Sequence, residues 1–185
     1  MKLHIILPTN RRKFLAKVVE DIFDLDHHGI DVRLHVLYQA DKSHRLNYLF
    51  DKVNEGIDFV PEKDWILFLS DEDKLNPRLF KRVAELHRLN PGKECFFFSQ
   101  EYNDLHRIED GTWIVQKRVL SARPENLKPG ECGGGQFVIK KSLIGTVRHD
   151  FLNYFDTADG NFIRTVYNKN PDKFYLDGNA FAIEQ

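Results

Sequence analysis

Two features of the sequence predict an α/β fold in a single domain. Short apolar runs, the first at residues 3–7, alternate with segments whose apolar residues recur at helical spacing. Such runs are typical of strands buried on both faces, and their alternation with helices is typical of a parallel sheet. With 185 residues, 42% of them hydrophobic, the chain can bury one large core. We expect one domain, residues 1–185, with a mostly parallel central sheet flanked by helices.

The first half predicts three strands, at residues 3–7, 32–38 and 65–69, each followed by a helical pattern. The second helix can be capped by Ser43. The third is predicted to begin at Asn76-Pro77, with Asn76 as the N-cap and proline in the first helical position.

The second half has a more mixed pattern. Residues 95–99 predict a strand, and residues 101–108 and 113–120 predict a hairpin around Asp110-Gly111. A loop rich in proline and glycine then leads to a strand near residues 137–139, and one last helix precedes terminal strand material. We therefore expect a mixed arrangement in the C-terminal half.

Composition excludes several classes of function. Lys and Arg number 27 against 28 Asp and Glu, so the chain lacks the basic footprint of a nucleic-acid-binding protein. Cys95 and Cys132 are its only cysteines, a pattern that predicts neither a disulfide framework nor a zinc site. The apolar run at residues 3–7 is too short for a signal peptide or a membrane span. We expect no transmembrane segment, a cytoplasmic location and a small-molecule partner.

The sequence Asp71-Glu72-Asp73 directly follows the third predicted strand. Ligands of open α/β sheets bind at the carboxyl ends of parallel strands, and two carboxylates offer the hard oxygen ligands that suit Mg²⁺ or Mn²⁺. Asp24-Leu25-Asp26 has the same spacing at a helix end, where we expect a solvated terminus. Spacing alone therefore leaves metal binding and turn chemistry open for Asp71 and Asp73.

The order of the motifs resembles the GT-A glycosyltransferases of the large family-2 type over nearly the whole chain. Their first strand typically ends in proline, a small hydroxyl residue and asparagine, as in Pro8-Thr9-Asn10-Arg11. Their second helix commonly carries an asparagine-x-glycine, as in Asn54-Glu55-Gly56. Their metal motif is an apolar strand, clustered aspartates and an apolar-x-proline opening a helix, an order that residues 66–77 reproduce. The resemblance implies a single Rossmann-like GT-A domain.

This resemblance implies a metal-dependent, inverting glycosyltransferase of the hexosyltransferase type, using Mn²⁺ or Mg²⁺ and a UDP- or GDP-sugar. Residues 1–92 would form the nucleotide-binding half and residues 93–185 the acceptor-binding half. Asp73 is the implied metal ligand, and Asp71 a second ligand or a contact to ribose or a metal-bound water. The further implied nucleotide contacts are Pro8, Thr9, Asn10, Arg11 and Gln39. Gln39 replaces the aspartate that usually pairs with the base, which leaves uridine specificity open, and Thr9 and Asn10 are equally consistent with capping the first helix.

The resemblance also implies a catalytic base in an acidic motif that opens a late helix. Asp159 is the candidate and Asp156 the reserve, and capping of that helix is the alternative role for both. The loop Gly133-Gly134-Gly135 would line the donor sugar or the acceptor, or would be a plain flexible loop. His149-Asp150 stands where some relatives supply a third metal ligand.

Two other functions remain open at this stage. A non-catalytic relative would bind a sugar nucleotide or a carbohydrate with the same fold. A nucleotidyltransferase would usually show a glycine-rich basic signature after its first strand, whereas residues 8–12 carry the charge without the glycines.

Overall fold

The computed structural model describes residues 1–9, 12–38, 47–71, 73–107, 112–129, 131–149 and 158–184. Its first half contains the strands β1 (Lys2–Thr9), β2 (Asp31–Tyr38) and β3 (Trp65–Phe68), with helices α1 (Arg12–Phe23) and α2 (Asn47–Phe59) between them. A two-residue strand, β4 (Lys74–Leu75), and helix α3 (Leu79–Leu89) follow. The three predicted strands are therefore present.

The second half contributes four more strands: β5 (Cys95–Arg107), β6 (Trp113–Leu120), β7 (Phe137–Lys140) and β8 (Phe174–Glu184). Helix α4 (Lys141–Ile144) follows β7, and helix α5 (Ala158–Lys169) precedes β8. Short 3-10 helices cover Pro124–Asn126, Gly134–Gln136 and Pro171–Lys173.

All eight of these strands belong to one sheet, in the order β2-β1-β3-β7-β5-β8-β4, with β6 paired to β5. The pairs β1–β2, β1–β3 and β5–β8 are parallel. The pairs β3–β7, β5–β7, β5–β6 and β4–β8 are antiparallel. The parallel first half and the mixed C-terminal half that the sequence predicts are thus confirmed.

The core lies on both faces of the sheet, because alternate residues of β1 point in opposite directions. Leu3, Ile5 and Leu7 pack with residues of α1 and α3, whereas Ile6 packs with residues of α2 and α5. All four side chains are fully buried. Burial on both faces explains why apolar residues in β1 occupy both alternating sets of positions.

Helix α3 begins later than the sequence predicts. Its N-cap is Arg78 and not Asn76, so the predicted start at Asn76-Pro77 is wrong. Lys74 and Leu75 pair with Glu184 and Ile183 of β8, and this pairing keeps the chain extended up to Leu75. The Asn76 side chain instead accepts a hydrogen bond from the Arg78 amide at 2.9 Å, which shapes the turn before the helix.

The predicted strand at residues 95–99 and the predicted first strand of the hairpin form one continuous strand, β5, which pairs with β6. Ser43, Asp110 and Gly111 lie outside the described residues. No helix in the described part of the chain has the length and apolar character needed to cross a membrane.

Candidate active site

Thr9 and Asp71 lie side by side at the carboxyl ends of β1 and β3. Ile6 of β1 is in register with Phe68 of β3, and Thr9 and Asp71 each lie three residues beyond that pair. The Thr9 hydroxyl donates a hydrogen bond to Oδ2 of Asp71. Their exposed fractions are only 1% and 5%. The carboxylate that the sequence singles out is therefore buried and oriented by the neighbouring strand.

Asp73 lies in the turn that follows Asp71. Its Oδ2 accepts a hydrogen bond from the Ser70 amide at 2.7 Å, and its own amide donates to the Ser70 carbonyl oxygen at 3.2 Å. These two bonds close a turn over residues 70–73 and fix the half-buried Asp73 carboxylate at the carboxyl end of β3. Glu72 lies outside the described residues.

The Asp24-Leu25-Asp26 sequence provides an internal comparison. Asp26 Oδ1 accepts a hydrogen bond from the His28 amide, two residues further along, at 2.8 Å, and both aspartates are exposed. This is ordinary turn chemistry within one loop. Asp71 differs because its partner, Thr9, belongs to another strand 62 residues away.

The chemistry of Asp71 and Asp73 fits a divalent cation shared with a ligand. No group of three or more His, Cys, Asp or Glu side chains in the described ranges is arranged to hold a metal, so an all-protein cage is not the arrangement seen there. Mg²⁺ is usually held by one or two carboxylates together with waters and substrate phosphate oxygens. Two hard carboxylates at a sheet edge match that second type of site.

The structure also brings Asp159 to this edge of the sheet. Asp159 lies in the first turn of α5, and its Oδ2 accepts a hydrogen bond from the Gly134 amide at 2.9 Å. A Cβ on Gly134 would lie 3.1 Å from Cβ of Phe68, the last residue of β3. Gly134 therefore lies beside the end of β3 and donates to the Asp159 carboxylate, which is 33% exposed.

Gln136 shapes the glycine loop that contacts Asp159. Its side chain is fully buried. Its Oε1 accepts a hydrogen bond from the Gly133 amide at 2.8 Å, and its Nε2 donates to the carbonyl oxygens of Phe98 and Leu120 at 3.2 and 3.3 Å. No sequence motif marks Gln136; its only signal in the sequence is a polar residue directly before the apolar run of β7.

The Asn54-Glu55-Gly56 motif has two structural roles. Asn54 Nδ2 donates to the His149 carbonyl oxygen, and Asn54 Oδ1 accepts from the His149 amide, both at 2.9 Å. A Cβ on Gly56 would lie 2.8 Å from Cγ2 of Ile6 and 2.9 Å from Cδ1 of Leu37. Gly56 thus lets α2 lie close against the sheet, while Asn54 holds the segment before α5.

Cys132, next to the glycine loop, is a structural thiol. Its Sγ lies 3.4 Å from the carbonyl oxygens of both Asn126 and Lys128, which share its single S–H donor. Burial raises the pKa of Cys132 to about 12 and also raises that of the buried Cys95 thiol. Neither thiol has the thiolate character of a nucleophile at neutral pH.

Of the site residues predicted from sequence, Thr9, Asp71, Asp73 and Asp159 take the positions given above. Pro8 is half-buried in β1. The remaining predicted residues, Asn10, Arg11, Gln39 and Asp156, lie outside the described residues, as does Asp150.

Solved structures provide the comparison that decides the fold. No protein-family model and no curated protein matches the sequence. The crystal structure of S. aureus TarS 1–349 superposes on all of this chain, with a TM-score of 0.67 and 11% sequence identity. Another crystal structure of S. aureus TarS gives a TM-score of 0.66 and 13% identity, again over 100% of this chain. TarS is a family-2-like GT-A glycosyltransferase.

The chain has a GT-A-like glycosyltransferase fold. It spans 60% of the first TarS chain and 36% of the second. At such low sequence identity, the similarity to TarS shows a shared fold and nothing more specific. Within this fold, Asp71 and Asp73 follow the end of β3, and Asp159 lies nearby at the start of α5. This is the end of the sheet where ligands of α/β proteins bind.

Proposed function

We propose that this chain is a metal-dependent, inverting glycosyltransferase that moves a sugar from a UDP- or GDP-sugar to a hydroxyl of a carbohydrate or another acceptor. One observation carries the proposal. Gly134 donates to the carboxylate of Asp159, and a Cβ added to it would lie 3.1 Å from Phe68, at the end of the strand before Asp71 and Asp73. A candidate metal-binding group and a candidate base therefore lie at the same edge of a glycosyltransferase-like sheet.

On the donor side, Asp73 and Asp71 would hold Mn²⁺ or Mg²⁺. A cation there supplies positive charge that offsets the charge developing on a departing diphosphate. Thr9 keeps the Asp71 carboxylate oriented through its hydrogen bond. We assign nucleotide contacts to Pro8, Thr9, Asn10, Arg11 and Gln39, and donor binding to residues 1–92.

On the acceptor side, Asp159 would accept the proton of the attacking hydroxyl. Its Oδ2 is held by the Gly134 amide, and its side chain is partly exposed toward solvent. The hydroxyl oxygen would then form a bond to the anomeric carbon as the bond to the diphosphate breaks, a single displacement that inverts the configuration. A positioned base typically contributes about 10²- to 10⁴-fold to a rate. Asp156 remains the reserve base, and we assign acceptor binding to residues 93–185.

A screen of UDP- and GDP-sugars for hydrolysis in the presence of Mn²⁺ tests the reaction. Asp159→Asn should abolish turnover while nucleotide binding persists, and Asp172→Asn, in an exposed 3-10 helix away from this loop, serves as the control. Normal turnover by Asp159→Asn would show that the base is assigned wrongly.

The same screen separates the alternative functions. Metal-dependent nucleotide binding without hydrolysis or transfer of any sugar would identify a non-catalytic binding relative. Release of pyrophosphate from a nucleoside triphosphate, with no cleavage of nucleotide sugars, would identify a nucleotidyltransferase. Either result would contradict the proposal.

A further inference from the structure

The polar side chain of His149 is buried among aromatic rings. Its side chain has an exposed fraction of 0%. The ring stacks on Phe162 at 4.1 Å between centroids and 9° between planes, and Phe68 lies edge-on at 5.0 Å. Neither ring nitrogen has a normal hydrogen-bond partner among the residues that the structure describes. Buried polar groups are nearly always hydrogen-bonded, because leaving them unpaired is costly.

The Nε2 atom of this ring faces the candidate base. It lies 3.1 Å from Oδ1 of Asp159, a distance that suits a hydrogen bond, although the two groups are not aligned as in a normal one. Catalytic hydrogen bonds are often poorly aligned before substrate binds and tighten in the complex. The distance therefore allows a hydrogen bond to form in the complex with substrate.

The position of His149 is fixed from its backbone as well as its ring. The Asn54 side chain makes both of the 2.9 Å hydrogen bonds to the His149 amide and carbonyl. Phe50, on the same helix α2, adds a second stacking contact, at 6.0 Å and 20°. Rotation of the ring away from Asp159 would break its stacking contacts with Phe162 and Phe50.

We propose that His149 is a positioning residue that holds the Asp159 carboxylate in its productive orientation, an inference that rests on the proposed function. The Nε2–H of His149 would donate to Oδ1, which lies 3.1 Å away, while the Gly134 amide donates to Oδ2. The proton of the acceptor hydroxyl moves to Asp159, and His149 keeps its own proton. Two donors on the protein side leave the remaining lone pairs of the carboxylate directed at the acceptor.

This role differs from that of a third metal ligand, the interpretation that the position of His149-Asp150 suggests from sequence. A ligand would present an unprotonated nitrogen to a cation. In the structure, Nε2 is instead next to a carboxylate oxygen, an arrangement that favours a protonated nitrogen. The two roles predict different effects on metal binding.

Two substitutions of His149 test the proposal by kinetics. His149→Phe places an aromatic ring among aromatic rings and removes the donor, whereas His149→Gln offers an amide N–H at a position similar to Nε2. We expect His149→Phe to lower kcat about 10-fold to 100-fold, less than loss of the base itself, with unchanged KM for the donor. His149→Gln should recover much of this loss. The control is His87→Phe, since His87 lies edge-on against Trp65 at the start of β3.

An unchanged kcat in His149→Phe would overturn the proposal. So would a weaker Mn²⁺ affinity in both variants, which is the result expected of a metal ligand. If His149→Phe does not fold, the tautomer of His149 in the unaltered protein can be read from ¹⁵N–¹H correlations of its ring. A proton on Nε2 supports the proposal, and a proton only on Nδ1 overturns it.

A further readout does not depend on activity. The amide resonance of Gly134 reports its hydrogen bond to Asp159, so it should shift in His149→Phe and return toward its original position in His149→Gln. An unmoved resonance would overturn the inference about His149. Absence of any sugar transfer by the unaltered protein, with this resonance behaving as expected, would contradict the proposed function and leave the contact between His149 and Asp159 supported.

Discussion

The Thr9 hydroxyl donates a hydrogen bond to the Asp71 carboxylate and so joins the carboxyl ends of β1 and β3. Both side chains are buried. The bond connects the proline-hydroxyl-asparagine motif at residues 8–10 with the aspartate motif at residues 71–73. These two motifs therefore meet at Thr9 and Asp71.

Thr9→Val should destabilise the protein by about 1–3 kcal/mol, because it leaves a buried carboxylate oxygen without this donor. Thr9→Ser keeps the hydroxyl and should lose much less. Urea unfolding of the three proteins measures the difference. Equal stability of the valine and serine variants would contradict a structural role for the bond.

Gly160→Ala should destabilise the protein strongly. Its Cβ would lie 2.4 Å from the Lys128 carbonyl oxygen and 2.8 Å from Cα of Pro129, and backbone atoms cannot yield as a flexible side chain can. We expect a loss of about 1–3 kcal/mol or more, as for overpacking of a core. Gly92→Ala is the matched control, since nothing lies within 4 Å of its Cβ, and its thermal midpoint should stay close to that of the unaltered protein.

Gln136→Leu should also be destabilising, because it leaves the Phe98 and Leu120 carbonyl oxygens and the Gly133 amide without their partner. Each unpaired buried group costs about 1–3 kcal/mol, so the three together should cost about 3 kcal/mol or more. Gln136→Glu retains the acceptor for Gly133 but buries a carboxylate beside the two carbonyl oxygens, so at neutral pH it should be at least as destabilising as Gln136→Leu. A leucine variant as stable as the unaltered protein in chemical denaturation would show that the loop does not depend on Gln136.

Stability should decrease as the pH falls below about 6.5. Burial, and the neighbouring His4, lower the pKa of His35 from its ordinary value of 6.5. The unfolded chain then binds a proton at a higher pH than the native protein does, so the stabilisation is present above pH 6.5 and is lost as the pH falls through the native pKa.

Unfolding free energies measured between pH 7.5 and pH 5 test this dependence, and His35→Asn should make it weaker. A residual dependence should remain, because burial also lowers the pKa of His87. A slope that is identical in His35→Asn and the unaltered protein would show that His35 does not contribute.

Local patterns in the sequence identify the strands and the motifs, because the residues of a buried strand, or of one helix face, lie close together in the sequence. The pairing of Thr9 with Asp71 depends on the register of β1 against β3, which no local pattern encodes. The start of α3 moves to Leu79 because β4 pairs with the distant β8. Local propensity alone predicts the earlier start, since Asn76-Pro77 is a good helix-initiating pair.

The surroundings of Asp159 are less predictable still. Its partners Gly134 and His149 lie on different segments, and the loop carrying Gly134 reaches the end of β3 because β7 inserts antiparallel between β3 and β5. Gln136 belongs to no recognisable sequence motif, since its role depends on hydrogen bonds to carbonyl groups of β5 and β6. Tertiary contacts of this kind are absent from any short window of sequence.

The central claim is that Asp73 and Asp71 bind a divalent cation together with a nucleotide diphosphate. Its most direct test is the thermal stability of the protein with UDP or GDP, measured with and without Mn²⁺. A ligand at 100 times its Kd stabilises by about 2.7 kcal/mol, which corresponds to a rise of about 5–10 °C for a domain of this size. We predict this rise only with Mn²⁺ present, its loss in Asp73→Asn, and its retention in the control Asp24→Asn. A rise that persists in Asp73→Asn, or no metal-dependent rise with either nucleotide, would contradict the claim.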